Sequence, residues 1–322
     1  MPSLLEVRDL QTCFASPYGA VRAVDKVSFV LNAGETLGIV GESGCGKTVL
    51  SLSILGLIPD PPGKIVGGEI LFEGCDLLSL PEAEMRKIRG RKISMIFQEP
   101  MTALNPVFKI GDQITEVIRH HKKTGNREAM DMACSILAQV GIPDARQRFH
   151  DYPHQLSGGM RQRIMIAMAM VCKPSLMLAD EPTTALDVTI QAQILDLIDE
   201  MKQQYHTAIV FITHDLGVIA QSAQRVAVMY AGEIVEYADV DRLYGNPCHP
   251  YTVGLLESIP SLERMPSKES RLRTIPGAVP EMYRDLAGCR FRERCPHAMD
   301  ICCHERPALT PIASGHFVQC WR

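Results

Sequence analysis

No apolar run in this sequence approaches the roughly 18 to 20 residues that cross a bilayer, so the chain offers no membrane span of its own. The first residues, Met1-Pro-Ser-Leu-Leu-Glu-Val-Arg8, lack a basic stretch followed by an apolar core, which argues against a signal peptide. Charge of one sign is also lacking. Thirty-three Lys and Arg against 37 Asp and Glu leave a net charge of −4, which gives no electrostatic reason to expect a nucleic-acid partner. Internal repeats and low-complexity segments are absent. Close C-x2-C pairs are absent too, although there are eleven cysteines. What remains is the composition of a soluble globular protein, 46% apolar and 22% charged, in a chain longer than one ordinary domain at 322 residues. The expectation is a cytoplasmic protein whose association with a membrane passes through a partner.

The most informative stretch is Gly41-Glu42-Ser43-Gly44-Cys45-Gly46-Lys47-Thr48. It follows the apolar run Thr36–Val40, which reads as a buried strand, and precedes Val49–Leu55, which reads as a buried helix. Strand, G-x-x-x-x-G-K-[ST] and helix together form a P-loop in its required context. The glycines let successive N–H groups turn inward onto phosphate oxygens, with the helix N-terminus behind them. Lys47 is placed to reach the β- and γ-phosphates, and Thr48 to ligate Mg²⁺.

Around this loop the chain alternates. Strand-like runs occur at Leu4–Arg8 and Val24–Leu31, separated by a loop through Phe14, Pro17 and Tyr18, and again at Glu69–Glu73 and Lys92–Phe97. Leu80–Arg91 reads as an exposed helix. From about residue 100 to 172 helix-spaced apolar residues dominate, at Ile110–His121, Arg127–Val140 and Arg161–Val171. Strand signals return at Ser175–Ala179, Ala208–Ile212 and Val226–Tyr230, with a helix at Thr189–Met201. This pattern predicts an α/β fold with a largely parallel sheet and a helical insert. Beyond about Asp239 the chain turns irregular and proline-rich. Such a module has too little apolar material for a core of its own and calls for a metal staple or docking on the main body.

Further motifs carry chemistry. Ser175–Ala179 delivers Asp180 and Glu181 at a strand end, one acid suited to Mg²⁺ and the next to polarising water. Leu156-Ser157-Gly158-Gly159-Met160-Arg161-Gln162 opens a helix with Ser157 as N-cap; it reads equally as a capped flexible turn or as a second anion site. Gln98 ends one strand and His214 another. Taken singly, Gln98 is as readily a surface amide as a Mg²⁺ or water contact. His214 sits at a strand terminus beside the predicted site, which favours a functional role.

In order and spacing, Gly41–Thr48 with Val49, Gln98, Leu156–Gln162, Asp180-Glu181, Ala185-Leu186-Asp187 and His214 resemble the full motif set of an ABC transporter ATPase. They resemble its Walker A, Q-loop, signature, Walker B, D-loop and H-switch in turn. The resemblance narrows at Gln98–Pro106, Tyr152–Gln162, Asp180–Asp187, His249-Pro-Tyr-Thr252 and Pro276–Pro280, which are similar to the oligopeptide/dipeptide importer branch. Nickel and glutathione importers have closely similar ATPases and stand as the alternative substrates. The implied organisation is an ABC ATPase domain over 1–240, with a helical subdomain at about 100–172, and a C-terminal extension over 241–322.

The resemblance implies ATP and Mg²⁺ as ligands, with Thr48, Gln98 and Asp180 on the metal. Glu181 would be the general base, His214 would contact the γ-phosphate, and Asp187 would communicate across a dimer interface. Ser157, Gly158, Gly159 and Gln162 would complete the ATP site of a second, homologous ATPase subunit, in a heterodimer. Phe14 or Tyr18 would stack on adenine, with Phe14 favoured. Two transmembrane permeases and an extracytoplasmic substrate-binding protein complete the implied assembly on the cytoplasmic face of the bacterial inner membrane. The rivals are a soluble ABC ATPase of DNA repair or translation, and a non-hydrolysing regulatory subunit. The former carries a long coiled coil or two cassettes, and the latter is disfavoured by intact Glu181 and His214.

Five cysteines crowd the last 34 residues. Cys289-x5-Cys295-x6-Cys302-x17-Cys320 offers four thiolates, with Cys303 beside them, and four thiolates suit zinc or an iron–sulfur cluster. Some peptide importer ATPases similar at these positions hold a [4Fe–4S] cluster, which makes the cluster the leading expectation. Zinc and plain reduced cysteines remain open.

Overall fold

The computed structural model describes residues 3–98, 103–184, 186–259, 274–280 and 287–322. Its contacts divide into two units, Met1–Leu4 with Leu31–Glu35 and Ser79–Phe211, and Leu5–Val30 with Thr36–Leu78 and Ile212–Arg322. Among the described residues the strands are, in order, β1 (Leu5–Ser16), β2 (Gly19–Leu31), β3 (Thr36–Val40), β4 (Gly63–Phe72), β5 (Cys75–Asp76) and β6 (Ile93–Ile96). They continue as β7 (Leu176–Asp180), β8 (Ala208–Thr213), β9 (Arg225–Tyr230), β10 (Glu233–Asp239), β11 (Thr310–Ala313) and β12 (His316–Val318).

In the unit that holds the phosphate loop, β2, β1, β4 and β5 form one sheet in that order. Val27, Phe29 and Leu31 are buried on one face of β2 while Lys26 and Ser28 face solvent, the period-two pattern of a half-buried strand. A second sheet runs β11-β12-β10-β9-β3 within this unit. Here β3 is parallel to β9, whereas β9, β10, β12 and β11 pair antiparallel. Every residue of β3 is buried, which is what a strand with both faces covered demands.

In the other unit β6 and β7 pair in parallel, from Ile93 opposite Leu176 to Ile96 opposite Ala179. All five residues of β7 are buried. The helices Ile110–Lys122, Asn126–Gln139 and Gly158–Met170 form the expected helical stretch. Ile110, Ile114 and Ile118 lie one turn apart and are fully buried. Each such side chain is worth roughly 1.5–3 kcal/mol of burial, so a single polar substitution on this stripe would loosen the helix. No helix among the described residues is long and apolar enough to cross a membrane.

Three expectations are corrected. The loop through Phe14 and Tyr18 shrinks to a turn at Pro17 and Tyr18, because β1 continues to Ser16 and pairs Phe14 with Gly63 of β4. A partner strand fifty residues away makes extended a stretch that local propensity leaves open. Strand β10 was not expected, since Glu233 and Glu236 disguise it as polar, yet both are buried. The tail is less irregular than its prolines suggest. It contains the helices Val240–Gly245, Pro250–Glu257 and Ile301–His304, and β12 extends the sheet from β10. Residues 99–102 of the Gln98–Pro106 stretch, Ala185, Pro260 and Pro266 lie outside the described residues.

Candidate functional site

The phosphate loop leaves buried β3 at Gly41 and enters the helix Lys47–Ile54 directly. Gly46 is the helix N-cap with φ of 107°, and a Cβ there would lie 2.1 Å from the carbonyl oxygen of Ala23. Any other residue at this position breaks the loop. The N-cap supplies no side-chain bond, and the first-turn amides of a helix lack intrahelical acceptors, so they face the loop as anion donors. Lys47 is buried and its Nζ donates to the carbonyls of Gly41 at 2.8 Å and Glu42 at 3.0 Å. Those are neutral acceptors, so a phosphate oxygen would compete for the ammonium with charge in its favour. Cys45 is fully buried beneath the loop, and burial holds its thiol above the usual range against the opposing pull of Lys47.

At the end of β7 the chain delivers Asp180, which is buried, and Glu181, which is half-buried. Glu181 adopts φ of 47°, the left-handed region that a non-glycine residue enters only when its surroundings insist. Its surroundings are specific. Gln98 Nε2 and Thr184 Oγ1 both donate to Glu181 Oε2 at 2.9 Å. Two donors on one oxygen fix the carboxylate plane, which suits a base that must hold a water in one geometry. Gln98 is thus joined to the acid that sequence order suggested. Thr184 was not singled out; its spacing of three from Glu181 across a turn is the signal that could have found it.

Ser157 caps the helix Gly158–Met170, its Oγ accepting from the Met160 amide at 3.3 Å. Ser157 and Gly158 are exposed, while Gln162 is buried and donates to the Pro182 carbonyl, which ties this helix to the turn after Glu181. Asp187 is exposed and caps the helix Val188–Tyr205 through the Ile190 amide at 2.9 Å. His214 is exposed after β8, and its neighbour Asp215 caps the helix Leu216–Ser222. Of the two candidate aromatics, the Phe14 ring packs against Gly63, whose added Cβ would lie 2.6 Å from it. Tyr18 stands at the turn tip, 79% exposed.

The tail is pinned to its unit by groups invisible in the motifs. Arg290 and Arg306 both pair with buried Asp25 and with Glu233 of β10, and Arg22 reaches Asp25 as well. Burial raises the Glu233 carboxyl against the pull of both arginines. Glu236 accepts from the amides of Cys248 at 2.8 Å and His249 at 2.9 Å and pairs with His316 Nε2 at 2.8 Å. His249 Nδ1 accepts from the Tyr251 amide at 3.1 Å, and burial pushes the imidazole down to about 3. Tyr230, Tyr251 and Phe291 complete a buried aromatic cluster with His249.

Cys289, Cys295, Cys302 and Cys320 line one cavity with Phe291, His249 and Pro307. Gly288, at φ of 76°, lets the chain approach Cys302 so closely that a Cβ would lie 2.2 Å from its carbonyl oxygen. The Cys289 amide donates to that same oxygen at 2.9 Å. Burial pushes the Cys289 thiol up to about 11, with Cys302, Cys295 and Cys320 adding to the shift. Among the described residues, Glu236, Cys248 and His316 bring three ligand atoms within 4.8 Å of one another.

Comparison with known proteins gives two family matches, ABC transporter over residues 24–184 and oligopeptide/dipeptide transporter, C-terminal region, over 235–302. The chain is 53% identical, over 99% of its length and 95% of the relative's, to the probable peptide ABC transporter ATP-binding protein y4tR of Sinorhizobium fredii. It is 51% identical, over 100% and 97%, to the oligopeptide transport ATP-binding protein AppD of Bacillus subtilis. To the oligopeptide transport ATP-binding protein OppD of Salmonella typhimurium it is 49% identical, over 99% and 93%. Among solved structures, the ATP-binding cassette MJ0796, in a dimeric post-hydrolysis state bound to ADP and Pi, matches with a TM-score of 0.66 and 25% identity. That match covers 73% of this chain and 98% of the other.

Proposed function

Because the chain belongs to the ABC transporter ATP-binding proteins, in the branch with the oligopeptide/dipeptide C-terminal region, we propose that it hydrolyses ATP to power peptide import across the bacterial cytoplasmic membrane. The observation that carries the hydrolytic role is the Glu181 carboxylate, held in a left-handed turn by Gln98 and Thr184. Glu181 takes the proton from water as its oxygen attacks the γ-phosphorus, and the bond to the ADP oxygen breaks. Lys47 and the amides of the Gly41–Val49 segment hold the phosphates, and His214 contacts the γ-phosphate. Thr48, Gln98 and Asp180 would supply oxygen donors of the kind Mg²⁺ prefers, and the ion, when bound, would supply positive charge to the phosphates. Tyr18 stacks on adenine, its ring standing 79% exposed at the turn after β1.

Ser157, Gly158, Gly159 and Gln162 serve the ATP site of a second ATPase subunit, and Asp187 signals between the two. The exposed capped helix start at Ser157 supports this, as does the dimeric state of the matching cassette. ATP closes the pair because it adds contacts only in the closed state. A heterodimer, two permeases and an extracytoplasmic binding protein complete the machine. Val107 and Phe108, exposed at 71% and 54%, offer the permeases an apolar contact. The subunit then lies peripherally on the cytoplasmic face of the membrane.

We read Cys289, Cys295, Cys302 and Cys320 as ligands of a [4Fe–4S] cluster, a reading supported by four thiols lining one cavity. The group would act as a structural staple for a module short of core. Broad visible absorbance in anaerobically purified protein, lost in Cys→Ser variants, is the expected result; a colourless protein with stoichiometric zinc overturns it.

The transport role is tested by purifying the subunit with its permeases and binding protein in vesicles. Peptide-stimulated ATP turnover with peptide uptake is expected. Stimulation by nickel or glutathione in place of peptide overturns the substrate class, and ATP binding without turnover makes the chain a regulatory subunit.

A further inference from the structure

Arg294 stands beside Cys295 in the tail and reaches the phosphate loop. Its Nη1 donates to Glu42 Oε2 at 2.6 Å and its Nη2 to Glu42 Oε1 at 2.9 Å, a two-pronged contact to the second residue of that loop. The guanidinium side chain is 5% exposed and the carboxylate 30%. The fork cannot swing away freely. Arg294 Nε donates to the Pro276 carbonyl at 2.9 Å, and the guanidinium lies 5.8 Å from the centre of the Tyr230 ring. Glu42 is held from a second side, its amide donating to the Tyr251 hydroxyl at 2.9 Å. The same residue offers its carbonyl to Lys47. Side chain, amide and carbonyl of Glu42 therefore link tail, aromatic cluster and phosphate-binding lysine.

We propose that Arg294 is a positioning residue for the phosphate loop, so that nucleotide affinity and the order of the cysteine-bearing segment are coupled. This rests on the ATP-binding reading above. With Arg294 in place, Glu42 is fixed and the loop meets phosphate already in shape; without it, ordering of the loop opposes binding. Coupling of this kind is reciprocal, so ATP must in turn steady the segment around Cys289 and Cys295.

The test measures binding of a fluorescent ATP analogue and amide hydrogen exchange over residues 287–303 in the full-length subunit. Arg294→Ala, Arg294→Lys and Glu42→Gln should each weaken binding, the first by about tenfold. In turnover assays KM should rise by more than kcat falls, which general loss of fold does not produce. MgATP should slow exchange over 287–303 in the wild type and not in Arg294→Ala. If Arg294→Ala does not fold by circular dichroism, the two conservative variants decide. Binding within twofold of wild type in the folded variants, with exchange indifferent to MgATP, overturns the proposal. A wild type that binds no better than Lys47→Ala overturns the ATP-binding reading instead.

Discussion

The phosphate loop and the turn after β7 are built in different ways. The loop owes its shape to backbone, with Gly46 pressed against the Ala23 carbonyl, and to supports more than two hundred residues away, Tyr251 and Arg294. The β7 turn is held by Gln98 and by Thr184, the latter only three residues from the carboxylate it grips. One is a cradle fixed from far along the chain, the other a carboxylate held by one neighbouring and one distant donor. Damage to the first should therefore appear in binding and damage to the second in turnover.

Lys47→Ala should break the cradle most severely. ATP binding measured by equilibrium dialysis should be nearly lost, and turnover should fall by about 10² to 10³, the scale of removing one donor to developing charge. Thr184→Ala should spare ATP affinity and lower kcat by about tenfold, comparable to one hydrogen bond to a charged group. A rise in KM with kcat unchanged would place Thr184 in the cradle instead. Tyr18→Ala should raise KM several-fold at constant kcat, from the roughly 1–3 kcal/mol of base stacking. The same change from Phe14→Ala, with Tyr18→Ala silent, would return the platform to Phe14.

A further effect, on stability instead of turnover, concerns the aromatic cluster under the loop. His249 is depressed from 6.5 to about 3 by burial. Between those values the unfolded chain binds a proton that the folded one refuses, so stability rises with pH across that window and is constant for this group above it. The slope approaches about 1.4 kcal/mol per pH unit well inside the window. His249→Asn keeps a helix-capping side chain and should flatten the pH dependence of urea midpoints between pH 4 and 6.5; an unchanged slope would remove His249 from this role.

The same contrast explains what the sequence made legible. Gly41–Thr48, Asp180-Glu181 and the Ser157 cap are local chemistry, and each lies where its spacing places it. The helix stripe Ile110, Ile114 and Ile118 is legible for the same reason. Long-range pairing is not. β1 runs on through Phe14 because β4 pairs with it, and β10 hides behind Glu233 and Glu236, whose side chains find partners in Arg290, Arg306 and His316 far along the chain. His249-Pro-Tyr-Thr252 is recognisable as a motif, but its work, a neutral cap and a hydroxyl for the Glu42 amide, needs the folded loop to be seen.

The central claim is that Glu181 is the base of an ATP-hydrolysing subunit, and Glu181→Gln tests it most directly. Bound ATP and ATP turnover should be measured on the same preparation of the variant, assembled with its partner ATPase and permeases. Stoichiometric ATP binding with turnover lowered by about 10² to 10⁴, the subunits held in a closed pair, is the predicted result. Turnover near that of the wild type would contradict the account.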